Sequence, residues 1–461
     1  VCGAQNEQQR VVSLSALQQV ARGNVGVKYT NEPSDAFLAT RLEYEMAFAH
    51  HNLKAGCGVP LVYKYRDLGE CLASPVGHIE LGSLAFGLLK KWRDTPHSSV
   101  KVMTPQELVD NGLALPSSVM IKQEPHPKRK FVEGRFRLVV RVAAPSIMGE
   151  RVLYGPLAQA NLERWETQPA KPGMGSTDYD NAVIWHSVAI HTEVEGGVSD
   201  DVKCWDGTTP LEIHELNDDL LVALTDADAL WENMIRNCEH AMRNKVYVLS
   251  DGTAFALDVA KFGSPQGAYI VRDGKVEFSP TPDPKDMCAP PAKQTSGRLL
   301  TAFNNSNMRS LLNFITSPLE THERVWGIYM GDDSVHSVHS RVSEFERLGM
   351  CVTDRKPFSH GGSFDFCSHL FVGGAVAVPS NWGKALYNLM SKPFERAHLD
   401  QFYSEMRWIG SLPEGAISMA SFVAVLIWSG WFRPPTSTTP AKRVWGGLKH
   451  TTFCFEHGGF S

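Results

Sequence analysis

A chain of 461 residues, 43% hydrophobic and 21% charged, is long enough for a large core or several cooperating subdomains, and it reads as soluble and globular. Its net charge of -5 argues against a general nucleic-acid coat, so any polyanion site must come from a local concentration of Lys and Arg. Nine cysteines (Cys2, Cys57, Cys71, Cys204, Cys238, Cys288, Cys351, Cys367, Cys454) form no CxxC pair and no zinc-ligand spacing, which disfavours a zinc module and suits a reducing compartment.

No signal-peptide pattern opens the chain, and Val1 in place of Met suits a piece of a longer precursor. Residues 122–141, KQEPHPKRKFVEGRFRLVVR, then set seven basic residues (Lys122, Lys128, Arg129, Lys130, Arg135, Arg137, Arg141) against Glu124 and Glu133, a local balance of +5. RLVVRV (137–142) predicts a strand, and Arg135 and Arg137 alternate with Phe136 and Leu138, so both guanidinium groups can share one face of a strand. Paired guanidinium groups suit a triphosphate; a charge-rich surface hairpin has the same composition.

Further along, DVKCWD (201–206) places Asp201 at the end of a strand and Asp206 one turn later. TTP then predicts a helix with Pro210 at its first position and Ile213, Leu216, Leu220 and Leu224 on one face. KVYVLS (245–250) reads as a strand, and the Pro-rich stretch 279–293 as a loop. SGRLLTAFNNSNMR (296–309) is a Ser-Gly turn leading to a helix that carries Met308, Leu311, Leu312 and Ile315. It could cradle a nucleotide and hydrogen-bond a ribose hydroxyl, or be an ordinary helix capped by Asn305 or Ser306.

VWGIYM (325–330) predicts a strand, and Gly331-Asp332-Asp333 the tip of its hairpin, where glycine supplies the unusual backbone angles. Two adjacent carboxylates repel unless something positive sits beside them. If this hairpin neighbours the strand that ends at Asp201, Asp201 and Asp332 can share two Mg²⁺ ions about 3.5–4 Å apart, a geometry suited to phosphoryl transfer. Solvated turn aspartates are the alternative. Val338, Val342, Phe345 and Leu348 then have helical spacing that stops at Gly349, LFVGGAVAV (370–378) reads as a strand, and the uncharged run 416–432 as a buried helix rather than a membrane span. Helices and short strands mix without a βαβα rhythm, which predicts α+β.

Taken in order, the basic strip, DxxxxD, SGxxxTxxxN and GDD resemble the RNA-dependent RNA polymerases of positive-strand RNA viruses. AKPGMG (170–175), MGDDSV (330–335) and FDFCSHLF (364–371) bring the resemblance to the sobemovirus, polerovirus and barnavirus group, over about residues 55–371. The resemblance implies a right-hand fold with an RRM-like antiparallel palm sheet. It distributes the chain as fingers at 1–195, palm at 196–215, a fingers insertion at 216–290, palm at 291–378 and, by position alone, thumb at 379–461.

It also implies roles. Asp201 and Asp332 match metal-binding aspartates, with Asp333 as an accessory acid. Asp206, Asn305, Ser296, Gly297 and Thr301 match the elements that recognise the incoming ribose, and Lys122, Arg135 and Arg137 the basic motif over the triphosphate. Gly58 to Leu61 resemble a template-contacting loop. Lys356 is similar to a lysine that acts as general acid on departing pyrophosphate, or is a solvated surface lysine. Cys367 and His369 belong to a primer-grip-like hairpin and read as structural. Lys203 and Cys204 stand where relatives have Ser-Gly, and the segment between 250 and 296 is longer than the pattern.

The cofactor implied is Mg²⁺, with Mn²⁺ as a substitute. The partners implied are template and product RNA, NTPs, a genome-linked protein primer and other viral replication proteins. The location implied is the host cytoplasm, at membrane-associated replication sites but without a membrane span. Three rivals remain: a reverse transcriptase, against which Asp206 and Asn305 speak; an RNA-binding scaffold without turnover; and a two-metal nuclease or phosphatase.

Overall fold

Short polar residues decide where many of the helices begin. Ser34, Asp67, Ser74, Thr104 and Asp228 each accept a backbone N–H from the first turn of the next helix: Asp35–Phe48, Leu68–Ala73, Pro75–Asp94, Pro105–Asp110 and Ala229–Arg243. At Thr104 the Glu107 side chain returns the bond, a reciprocal cap. These features belong to a computed structural model that describes residues 2–49, 51–121, 132, 138–203, 205–249, 251–256, 268–272, 275–279, 287–288, 297–380, 402 and 406–408.

The chain divides into two units. The first takes Val1–Lys122, Gly134–Gly173 and Asp200–Arg355. Its core joins the helices Cys2–Gly23, Asp35–Phe48, Pro75–Asp94, Ala144–Glu163, Leu211–Thr225 and Ala229–Arg243, through buried Leu38, Leu89, Leu153, Leu221 and Ile235. Trp92 is fully buried within it, its indole N–H donating to Leu113 O at 2.8 Å.

Two sheets of this unit position the acidic residues and the turn at Gly297. In one, β1 (Ser117–Ile121) pairs antiparallel with β2 (Leu138–Arg141) and parallel with the strand Val246–Val248. The other has the order β11-β3-β10-β9, with β3 Gly197–Val202, β9 Gly327–Met330, β10 Asp333–His336 and β11 Val352–Phe358. β9 and β10 form an antiparallel hairpin in which Asp333 faces Met330 and His336 faces Gly327. The helix Thr301–Ile315 holds this hairpin: Asn313 Nδ2 donates to Tyr329 Oη at 2.7 Å, and the Gly331 N–H donates to Ser306 Oγ at 2.9 Å. Between the helix and β3, Val202, Trp205, Met308, Leu312 and Phe345 close a second small core.

The second unit takes Gln123–Glu133, Met174–Ser199 and Lys356–Ser461. Its described part sets the helix Asp178–Thr192 beside a three-stranded sheet of Phe364–Phe366, His369–Gly373 and Val376–Pro379. Trp185 stacks on Phe364, and Phe364 on Phe371, with ring centroids 5.6 and 5.1 Å apart.

Four expectations about elements need correction. Pro210 caps the helix Leu211–Thr225 in extended geometry rather than occupying its first turn. The helix expected to be capped by Asn305 or Ser306 begins at Thr301, because Thr301 Oγ1 accepts the Arg298 N–H at 3.0 Å and Ser306 is spent inside on Ala302 O and Gly331. The helix read from Val338 starts only at Val342, after an extended Arg341. Residues 370–378 are two paired strands, not one, turned at Gly374 with φ +51. The stretches 279–293 and 416–432 lie wholly or mostly outside the described residues, and no described helix is long and apolar enough to cross a membrane.

Candidate active site

Alternation along β3 turns Asp201 to the open side of the sheet and Asp200 to its buried side. β10 is the neighbour of β3, so the tight turn at Gly331 (φ +68) delivers Asp332 and Asp333 beside Asp201. The three carboxylates sense one another. Burial first, then the Asp332 charge, raises the Asp201 carboxyl; Arg309 and the Val202 N–H work the other way, and Asp354 adds to the repulsion. Asp333 is pushed up to about 6 by burial, then by Asp332 and Asp201. Asp354, on β11 with φ +51, is a nearby acid that sequence spacing did not single out.

Among the described residues, none of Asp201, Asp332 and Asp333 has an ion pair. Asp201, Asp332 and Asp333 stand on neighbouring strands and repel one another, and carboxylates are the donor chemistry of a hard divalent cation, so these residue types suit one, although their oxygens do not all lie within 4.8 Å of one another. The repulsion has a pH signature. With its folded value near 6 and an ordinary unfolded value near 4, Asp333 takes up a proton on folding between those limits, so metal-free protein loses stability as pH rises through that window. Asp333→Asn is expected to flatten this dependence and raise metal-free stability above pH 6 by on the order of 1–3 kcal/mol, read by urea denaturation in chelator at pH 4.5 and 7.5.

Gly297 leads into the helix carrying Thr301 and Asn305. Its φ of +92 and a Cβ that would lie 2.6 Å from Val140 O leave no room for a side chain. Gly297→Ala is therefore expected to cost more than about 1 kcal/mol, visible as a lower unfolding temperature. Behind it Arg298 is buried, donating to Glu150 Oε1 at 2.7 Å and to both oxygens of Glu239, one of them at 2.7 Å. Glu150, Cys238 and Glu239 have metal-ligand proximity, but Arg298 already holds both carboxylates, so this group is an ion cluster rather than a metal site.

Asn305 is buried with its amide oxygen unpartnered, on the same helix as Ser306 and Met308. Asp206 sits in the short turn Trp205–Thr208, whose Trp205 packs in the small core with Met308. The structure thus brings Asp201, Asp206, Gly297, Thr301, Asn305, Asp332 and Asp333 into one unit. Lys122, Arg135, Arg137 and Ser296 lie outside the described residues.

A family model described as viral RNA-directed RNA-polymerase matches residues 28–192. Replicase polyprotein P2AB of Cocksfoot mottle virus is 27% identical over 66% of this chain and 29% of its own length. Protein P1-P2 of Turnip yellows virus is 28% identical over 67% of this chain and 27% of its own length. The RNA-directed RNA polymerase of Mushroom bacilliform virus is 27% identical over 66% of each chain. This chain is similar to the viral RNA-directed RNA polymerases. Its fold agrees: a Sicinivirus 3Dpol RNA-dependent RNA polymerase superposes with a TM-score of 0.56 at 13% identity, covering 94% of this chain and 89% of the other. The fold is that of a right-hand polymerase. The chain spans less than a third of the two polyproteins named.

Three residues singled out for this polymerase-like chain fall in the second unit. Lys356, on β11, is exposed and pairs with Asp365 at 2.8 Å. Cys367 and Ser368 form the turn between Phe364–Phe366 and His369–Gly373, with φ +50 and +59, and His369 Nδ1 lies 2.9 Å from Cys367 O. Both Cys367 and His369 are thus engaged in a turn.

Proposed function

We propose that this chain is a viral RNA-dependent RNA polymerase that replicates a positive-strand RNA genome, joining NTPs to the 3′-hydroxyl of a growing RNA. The observation that carries the reading is the meeting of Asp201, from one end of the sequence pattern, with Asp332 and Asp333 from the other, on neighbouring strands. In each step the 3′-oxygen forms a bond to the α-phosphorus of the NTP while the bond to pyrophosphate breaks. A divalent cation, Mg²⁺ or Mn²⁺, held by Asp201 and Asp332 with Asp333 beside them, would supply stabilisation of the negative charge that develops on the reacting oxygens.

The protein's own groups do the rest. The rigid hairpin keeps the carboxylates in place because Ser306 and Asn313 fasten it to the helix behind. Asp206, Thr301 and Asn305, with the Ser296-Gly297 turn, recognise the ribose, and the 2′-hydroxyl they engage separates NTP from dNTP. Lys122, Arg135 and Arg137 receive the triphosphate. Lys356 donates a proton to departing pyrophosphate, and to do so it leaves Asp365. The loop from Gly58 to Leu61 contacts template. The wider proposal places the protein in the host cytoplasm at replication sites, with a genome-linked primer protein and other replication proteins as partners.

Primer extension on a defined RNA hairpin tests this, with NTPs or dNTPs and with Mg²⁺ or chelator. Templated incorporation of NTPs, dependent on Mg²⁺, is the expected result. Incorporation of dNTPs instead would make it a reverse transcriptase, RNA cleavage without NTPs a nuclease, and RNA binding without incorporation a scaffold.

A further inference from the structure

Asp200, the residue before Asp201, is turned into the protein with its side chain fully buried. There it gathers four donors. Arg309, also fully buried, donates to Oδ1; so do Ser334 Oγ and His336 Nε2, each at 3.1 Å; Arg355 Nη1 reaches Oδ2 at 3.2 Å. These donors come from the helix Thr301–Ile315 and from both strands that pair with β3, β10 and β11. The donors are themselves fixed. Arg355 donates to Ser340 O at 2.9 Å, the Arg309 guanidinium lies 5.1 Å from the centre of the Phe345 ring, and His336 Nδ1 faces Ser337 O at 2.8 Å. Burial alone would raise the Asp200 carboxyl, but Arg309, His336 and Arg355 hold it well below the usual range.

A buried ionic cluster is a poor way to gain stability, since apolar residues of the same volume often serve as well. It is a good way to fix register. A one-residue slip of β3 would exchange the faces of Asp200 and Asp201, leaving two cationic guanidinium groups without their carboxylate and Asp201 away from the cleft. The same Arg309 charge also favours the ionised form of Asp201 on the opposite side of the strand.

We propose that Asp200 is a positioning residue: through Arg309, Ser334, His336 and Arg355 it locks β3 against β10 and β11 and so sets the spacing of Asp201, Asp332 and Asp333 and their affinity for a divalent cation. The proposal rests on the metal-binding role of those three acids in the polymerase reading. An ion cluster that served only the core would lower stability and leave metal affinity alone.

Mn²⁺ binding to the full chain, followed by its paramagnetic resonance signal without RNA or nucleotide, separates the two. Asp200→Asn is expected to weaken Mn²⁺ binding about 10- to 100-fold, as losses behind a metal ligand do. It should also raise the Mg²⁺ concentration for half-maximal incorporation by a similar factor, with kcat at saturating metal within about threefold of the parent. A folded Asp200→Asn protein, judged by circular dichroism, that binds Mn²⁺ within about twofold of the parent overturns the proposal. Should Asp200→Asn not fold, the pair Ser334→Ala and Arg355→Met removes two donors while leaving Asp200 and Arg309 together, and decides the matter: weakened Mn²⁺ binding supports the proposal and unchanged binding overturns it. A parent chain that binds Mn²⁺ but incorporates no nucleotide defeats the polymerase reading alone, because the ratio of Mn²⁺ affinities still judges Asp200.

Discussion

Asp332→Ala is expected to lower templated NTP incorporation at least about 1,000-fold, a loss of roughly 4 kcal/mol of transition-state stabilisation. The turn it occupies would survive. Gly331 carries the positive φ, the Gly331 N–H is held by Ser306, and the hairpin is paired from Asp333 to His336, so none of these supports needs the Asp332 side chain. Removing the carboxylate also relieves Asp201 and Asp333 of a repulsive neighbour, so metal-free stability should rise rather than fall. RNA affinity should stay within about threefold, since contacts to phosphates come from cations elsewhere. Loss of activity with an unchanged or higher unfolding temperature and retained RNA binding is the signature to measure, by primer extension, thermal unfolding and filter binding. An active Asp332→Ala protein would remove this residue from the proposed chemistry.

The acidic trio was legible because each of its members stands beside a local signal: an apolar run that ends in carboxylates, with a glycine where the backbone must turn. The partners that hold the trio were not legible. Asp200 looks like half of a polar pair in SDDV, although strict alternation on a strand requires one of two consecutive aspartates to face inward. That alternation, together with Arg309 standing between Met308 and the apolar pair Leu311-Leu312 of one helix, was the available signal. His336 and Arg355 carried none, being 136 and 155 residues from Asp200 along the chain. Helix starts failed for a related reason. Asn305 and Ser306 have the right chemistry for a cap, but tertiary contacts to the hairpin claim Ser306, and Thr301 takes the start. Gly373-Gly374 in the 370–378 run was a turn signal outweighed by the apolar residues around it.

Arg298 carries the second large effect. It lies between Glu150 on the helix Ala144–Glu163 and Glu239 on the helix Ala229–Arg243, all three side chains at most 2% exposed. Tyr154 Oη donates to Glu239 at 2.8 Å, and the Leu299 N–H to Glu150 Oε2 at 3.0 Å. Burial works against the charge on Glu239, and Arg298 more than offsets it, holding that carboxyl below its usual range. Lys245 and Arg151 also face Glu150, but burial pushes both down, Lys245 to about 8, so they replace Arg298 only in part. Arg298→Met would leave two buried carboxylates short of a counter-charge, and is expected to cost about 3–5 kcal/mol in chemical denaturation. Adding Glu239→Gln to Arg298→Met should recover part of that loss, because removing both members of a buried pair costs less than removing one. The cluster also stands directly behind Gly297 and the start of the helix that bears Thr301 and Asn305. Glu239→Gln, which keeps the volume and weakens the hold on Arg298, should therefore raise KM for NTPs and narrow the preference for NTPs over dNTPs, while kcat at saturating NTP changes less. Steady-state incorporation with matched NTP and dNTP series would show this, and equal effects on both series would leave Arg298 as a core residue with no hand in substrate choice.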